Sequence, residues 1–440
     1  MQNRTGRSRP AGSAFGILTM IMSTDAAADS QRIPPPAVVG AAVLPFGLVA
    51  GFTITALPFL LTHAGVSLGR VATISAIVMS PTFWGFLLQP LMDTGLTRRA
   101  YGWLSAGVAA VCLGAALMVL SPAHLAATTA LLLAAELATV MYSGAIGGWT
   151  AAFTPDRARG AVSGWTNVAN LGGGAAGSMV VMELARRVAL PWLALSMALA
   201  VLAGALPTLW FPEPRRSSFR FRQLFTDALR AIWRASRTRE CLIGFCLFLA
   251  PVSAEAAINL FSGLGGNFHA PSATVIWVTG AGCAITSSLG ALLGGYAADR
   301  ISRGYLYLCA GMGTGVCALA MAFAPRVPLV FIVGVLAYNG MAGIAYAAFN
   351  ALGFEIVGQH SPVASTQLGL FAASTNLAIV YMTWADGRGF QSFGARGLML
   401  TDAVAALAAG VVLMAWLGRR LLRQKPGGAR EQPLPALTPE

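Results

Sequence analysis

The sequence predicts an all-α, polytopic membrane protein: twelve transmembrane helices in two pseudo-symmetric six-helix bundles. Three observations carry this: an apolar composition, runs free of charge at regular spacing, and a repeat that relates the two halves. Hydrophobic residues make up 56% of the 440 positions and charged residues 10%, against roughly 45–50% and about 25% in soluble domains. Each crossing needs about 20 apolar residues to span about 30 Å of hydrocarbon, and the chain has room for twelve.

Stretches without Asp, Glu, Lys or Arg mark the spans at 33–69, 71–92, 100–135, 160–182, 188–212, 256–298, 304–325, 327–354 and 356–385. Divided at Gly, Pro and Ser, they give helices near 38–62, 70–92, 101–120, 124–148, 160–182 and 190–211. The second set lies near 241–262, 272–297, 304–324, 327–351, 364–385 and 397–418. The expected organisation is a leader over 1–36, bundles over 37–211 and 241–420, a basic linker over 212–240 and a tail over 421–440.

In the leader, Arg4, Arg7 and Arg9 precede an apolar run, Ala11 to Met22, that is too short to span a bilayer. A disordered leader, or a true start at Met20 or Met22, is the expectation. The linker opens with Pro212-Glu213-Pro214 and interleaves arginines with Phe221, Leu224, Phe225, Leu229, Ile232 and Trp233. That pattern predicts an amphipathic basic helix on an anionic inner leaflet. A net charge of +13 could by itself mean a nucleic-acid partner, but the placement of the charge argues against one. With both termini cytoplasmic, only Arg70, Arg186, Arg187, Arg326, Arg388 and Arg396 fall outside. This asymmetry sets the expected orientation in the cell inner membrane. The six cysteines (Cys112, Cys241, Cys246, Cys283, Cys309, Cys317) lie in apolar runs without a C-x-x-C pair, so they read as reduced core residues.

The repeat appears at the ends of the second and eighth helices. Gln89-Pro90-Leu91-Met92-Asp93-Thr94-Gly95-Leu96-Thr97-Arg98-Arg99 corresponds to Gly295-Tyr296-Ala297-Ala298-Asp299-Arg300-Ile301-Ser302-Arg303-Gly304, with the aspartates 206 residues apart. The same offset relates Asn170 to Asn376. Two homologous bundles about an axis along the membrane normal would produce such a pattern.

On these residues the chain resembles the major facilitator superfamily, whose loop motif reads roughly Gly-x-x-x-Asp-Arg-x-x-Arg-Arg. Gly295, Asp299, Arg300 and Arg303 match it. In the first copy Asp93, Arg98 and Arg99 match, while Gln89 stands for the glycine and Thr94 for the arginine, so this copy is expected to pack less tightly. The resemblance implies that these residues gate. The aspartate pairs with an arginine and with the positive end of a neighbouring helix, in a contact that one conformational state has and another lacks. Pro90-Leu91-Met92-Asp93, Ala56-Leu57-Pro58 and Pro155-Asp156-Arg157-Ala158-Arg159-Gly160 also resemble the AmpG-type muropeptide permease branch, with its siderophore and acetyl-CoA relatives.

Polar groups at membrane depth are the second functional signal, because they are costly unless they face water or a partner. Glu136 sits midway along the fourth helix, Glu255 in the outer half of the seventh, and Glu355 just past the tenth. Helical spacing groups Glu136 with Thr139 and Ser143, Glu255 with Asn259 and Ser262, and Asn339 with Gly343, Tyr346 and Asn350. Asn167 and Asn170 form a shorter stripe, and Gln367, Ser374 and Tyr381 another. Each is expected either to line a cavity for a small-molecule substrate or to bond between helices. A desolvated carboxyl can exchange a proton each cycle, so H+ is the expected coupling ion through Glu136 or Glu255.

Trp84, Trp149, Trp165 and Trp384 read as interface anchors. The sequence has no H-E-x-x-H, G-x-S-x-G or Walker pattern, and no strand precedes Gly172-Gly173-Gly174. The reading is therefore a cofactor-free, monomeric secondary transporter with no enzymatic activity. The expected cargo is a small organic solute such as a peptidoglycan fragment, siderophore or acyl conjugate, taken inward. A drug-efflux antiporter and a membrane-embedded enzyme or scaffold are the alternatives.

Overall fold

The computed structural model describes residues 34–421 apart from 94–95, 213–229, 231–232, 234–237, 360 and 362. The expected leader, linker helix and tail lie, for nearly all their length, outside the described residues. In the first half the helices are α1 (36–63), α2 (68–93), α3 (Arg98–Met118), α4 (Pro122–Phe153), α5 (Asp156–Ala185) and α6 (Leu190–Trp210). In the second half they are α7 (239–268), α8 (Ser272–Ala298), α9 (Arg303–Phe323), α10 (Pro328–Val357), α11 (364–392) and α12 (395–421).

Nine stretches of the described residues are long and apolar enough to cross a membrane. The difference from twelve arises at three places. Helices α11 and α12 run on through a turn at Phe393 and Gly394, where Gly394 takes φ 62°. In α2, Pro81 interrupts the hydrogen-bond ladder within the shorter apolar stretch Thr73–Leu88, and Pro90 opens a separate last turn. In α7, the helix stops at Leu249, passes through extended Ala250 into a short turn at Pro251–Ser253, and continues as further short turns after Glu255 at φ 55°. Three helices take a π-turn instead of a break: α1 at Phe52–Ala56, α5 at Val168–Gly172 and α8 at Val278–Gly282.

Helix starts follow their sequence signals. The side chains of Thr97 and Thr238 accept from Ala100 N and Cys241 N and so cap α3 and α7. Prolines stand in the first turn of α1, α6 and α10, where the missing N–H costs nothing. The short break in α1 at Ala42–Val43 leaves a carbonyl that Tyr142 satisfies from α4, with its hydroxyl donating to Ala42 O at 2.6 Å.

Within the first half, α3 packs on α4 and α6, and α1 on α5. Within the second, α8 packs on α10, and α9 on α10 and α12. Between the halves, α5 meets α8 and α10, while α11 meets α2 and α4. One buried apolar cluster runs through both halves, from Val39, Tyr142 and Trp149 to Phe248, Tyr307 and Phe371. The outward surface is also apolar: Val111, Trp192, Ile276 and Leu329 are about two-thirds exposed, which suits lipid rather than water.

Two local expectations change. Trp149 is fully buried against Phe211, and its indole N–H donates to Pro212 O at 2.6 Å; it packs inside the bundle instead of anchoring an interface. All six cysteines are free, but only Cys241 and Cys283 are buried, and Cys246 is exposed.

Candidate functional site

The two copies of the sequence motif sit at the same end of the molecule, each carrying a carboxylate onto the first turn of a helix from the other half. At the end of α8, Asp299 accepts from Gly160 N at 2.7 Å and Ala161 N at 2.8 Å, the opening amides of α5. At the end of α2, Asp93 accepts from Ser365 N at 3.1 Å, Thr366 N at 3.0 Å and Thr366 Oγ1 at 2.9 Å, at the opening of α11. Each helix end leaves unsatisfied amides with partial positive charge, so a carboxylate is a fitting partner. Burial pushes the Asp299 carboxyl up, while the two amides, then Arg303 and Arg300, pull it back.

The arginines complete the two sites differently. Arg303 lies 3.9 Å from Asp299, pairs with Glu355 at 2.7 Å and donates to the Asp156 carbonyl. Arg98 lies 3.5 Å from Asp93 and donates to the Gly148 carbonyl. Arg99 donates to Phe211 O at 2.9 Å and stacks over Trp149. Arg300 lies over Tyr296 on its own helix and donates to that residue's carbonyl, so it does not bridge the halves here. Glu355, placed by the sequence among the cavity acids, belongs to the last turn of α10 and to this charged cluster.

Gly295 is required by close approach. A Cβ there would stand 2.5 Å from Gly160 O and 2.9 Å from Gly164 Cα, so α5 and α8 touch backbone to backbone. Gly295→Ala is expected to destabilise this seam by about 1–3 kcal/mol through overpacking, read as a lower melting temperature in detergent. Gly107→Ala, whose added Cβ meets nothing within 4 Å, should leave it unchanged. In the first copy Gln89 fills the corresponding gap. Its side chain lies in a notch at Gly144 and Gly369 and donates to Val140 O at 3.0 Å, so a side chain rather than bare backbone joins α2, α4 and α11. Asn376 adds a bond across the halves to Thr82 O at 3.1 Å, and Asn170 is half-buried in the π-turn of α5.

The expected polar stripes divide once placed. Glu136 is buried on α4 beneath the π-turn of α1, where the Thr53 hydroxyl donates to it at 3.4 Å. Glu255 is buried too, but its stripe dissolves: α7 is broken there, so the i, i+4, i+7 spacing does not apply. Asn259 and Ser262 are exposed, and Asn259 donates to Thr383 Oγ1 at 3.2 Å. Asn167 and Asn339 bond back to Ser163 O and Val335 O of their own helices. Gly343 marks a close crossing with Ser287 of α8, and Tyr346 and Asn350 are half-buried on α10. Gln367 accepts from Ser361 at 2.7 Å beside the Asp93 contact, and Tyr381 donates to Leu249 O at 2.7 Å. Helix packing absorbs most of these groups.

Two buried acids were not read from the sequence. Asp386 on α11 and Asp402 on α12 are both buried. The segment around Asp386, Ala385-Asp386-Gly387-Arg388-Gly389, has the composition of a loop and falls between the predicted helices 364–385 and 397–418, yet α11 continues through it. The available signal was spacing: Ala378, Met382 and Asp386 recur every fourth residue along one face.

The family model described as Major Facilitator Superfamily matches residues 243–439. Among curated proteins no relative matches. Solved structures align over nearly the whole chain. A Major Facilitator Superfamily transporter, FucP, in the outward conformation, aligns with a TM-score of 0.66 at 14% identity, covering 88% of this chain and 99% of that one. The human organic anion transporter MFSD10 (TETRAN) gives 0.63 at 18%, covering 86% and 98%. The proton:xylose symporter XylE gives 0.64 at 12%, covering 87% and 94%.

Proposed function

From a polytopic membrane protein with the major facilitator fold, we propose secondary active transport of a small organic solute by alternating access, coupled to protons. The observation that carries this reading is the reciprocal pair of caps: Asp93 on α11 and Asp299 on α5. Both contacts lie between halves at one end and hold that end shut. A solute path that opens at this end must break both, while the opposite end is free to open with both made. Binding contacts of this kind are what bias a two-state equilibrium.

We propose that the latched end faces the cytoplasm, on the distribution of arginine. Arg98, Arg99, Arg159, Arg300 and Arg303 cluster there, whereas Arg326, Arg388 and Arg396 stack on Phe268, Trp384 and Phe323 at the far end. Arg70, Arg186 and Arg187 are also assigned to the far end, the last two paired with Glu183. Glu136 between α4 and α1 is the proposed coupling acid of the first half. The solute class is read as polar and imported; most interior amides are taken up by helix packing, so the reading leans on the buried carboxyls Glu136 and Glu255. Solved relatives of the same fold carry solutes as different as organic anions and xylose in their descriptions, so the fold accommodates this class.

The test is counterflow in liposomes holding the purified protein, with labelled peptidoglycan fragments, siderophores and acyl conjugates in turn. Exchange of one class without ATP, and accumulation when the outside is made acidic, is the expected result. Chemical turnover of lipid or solute, with no counterflow of any class, would replace transport by enzymology.

A further inference from the structure

Neither latch uses the three acids buried in the second half, and they converge from three helices. Glu255 stands at the break in α7, Asp386 on α11 and Asp402 on α12, each at most 5% exposed. Ala254 and Ala256, which flank Glu255, pack against Ala378 and Met382. Those two share the face of α11 that carries Asp386. Ala405, one turn beyond Asp402, closes the same cluster.

We propose that Glu255, Asp386 and Asp402 form one proton-holding site inside the second bundle, shared by α7, α11 and α12. Both oxygens of Asp386 and Oε2 of Glu255 are buried with no hydrogen-bond partner among the described residues. Among the described residues no ion pair includes any of the three. Asp402 is better served: the Tyr338 hydroxyl reaches its oxygens at 3.0 and 3.2 Å, and Ala257 donates to it from beside Glu255. Neighbouring carboxylates in a medium of low dielectric cannot all ionise. A proton on Asp386 or Glu255 removes the charge that burial without a partner makes costly.

The other titratable groups facing the site are tyrosines: Tyr307 of α9, Tyr338 and Tyr346 of α10, and Tyr381 of α11. The arginines at this end stack on aromatic rings instead. Among the described residues no three acid, cysteine or histidine side chains converge closely enough to hold a metal ion. Asp386 lies 21 residues along α11 from Ser365 of the latch, about 32 Å at 1.5 Å per residue. A groove of about 600 Å³, lined by Trp384, Ala385, Arg388, Phe393 and Thr401 among others, opens between α11 and α12 at this far end. Ala385 and Thr401 of this lining adjoin Asp386 and Asp402 in sequence; in a transporter, proton exchange with the site would then belong to this far end, away from the closed one.

Only that last consequence rests on the transport reading; the protonation itself is tested without a solute. Difference infrared spectra of the full-length protein in lipid would follow the carbonyl stretch of protonated carboxyl groups as the pH is raised. The wild type should show a titrating component that Asp386→Asn or Asp402→Asn removes, with the remaining acid's component shifted. Glu136→Gln should leave that component in place. Identical titrations in the two Asn variants and the wild type would overturn the proposal, as would displacement of the component by sodium. Where an Asn variant does not fold, Tyr338→Phe replaces it: loss of the hydroxyl at Asp402 should shift the component, and no shift counts against the site.

Discussion

Replacing Asp299 with asparagine is expected to open the latched end in a large share of molecules. The variant loses the charge behind two amide bonds and its attraction to Arg303, and it must turn one N–H donor toward another or leave an amide empty. Hydrogen bonds to charged groups contribute about 1.5–3 kcal/mol each, and the asparagine oxygen retains part of one. A net loss of about 2–4 kcal/mol, or roughly 30- to 1,000-fold in the equilibrium at 1.4 kcal/mol per decade, is the result. Spin labels at Arg157→Cys and Ile301→Cys, both exposed and on opposite sides of the seam, would report it. The wild type should give one short distance, and Asp299→Asn a second, longer population. Asp93→Asn should act in the same direction. An unchanged distance distribution in both variants would reduce the caps to helix ends with no part in gating.

Glu136→Gln is expected to abolish accumulation driven by a pH gradient while counterflow continues near the wild-type rate. The side chain is almost completely buried and its hydrogen bond from Thr53 is long at 3.4 Å. Glutamine has the same shape and offers Thr53 both an acceptor and a donor, so packing is preserved and the exchangeable proton is removed. Retention of solute exchange separates lost coupling from lost folding. Full pH-driven accumulation in this variant would leave the second-half acids as the coupling groups. Loss of both activities would assign Glu136 to solute binding.

The halves, the helix positions and the two aspartates were legible because each is written locally: in apolar runs, in punctuation by proline and glycine, and in a repeat at fixed offset. What each aspartate holds was not. Gly160 and Ala161 are 139 and 138 residues from Asp299, and nothing in their own neighbourhood marks them as its partners. Side-chain periodicity failed where the backbone departs from a regular helix. The stripe through Glu255 assumed 3.6 residues per turn across a position with positive φ. Asp386 was hidden for the opposite reason, since two glycines and two charges suggested a loop where neighbouring helices hold the chain helical. The Gln89 substitution was visible as a departure from the motif, but the notch that receives it is made by Gly144 and Gly369 of two other helices.

The reciprocal caps also make the two parts of this protein mutually dependent. Helix α5 begins on an acid supplied by the second part, and α11 on one supplied by the first. Cut between them, each fragment would keep a carboxylate with nothing to terminate and a helix with bare amides at its mouth. An alteration in one part is thus felt at the start of a helix in the other, and evolution has to tune the two as a matched set.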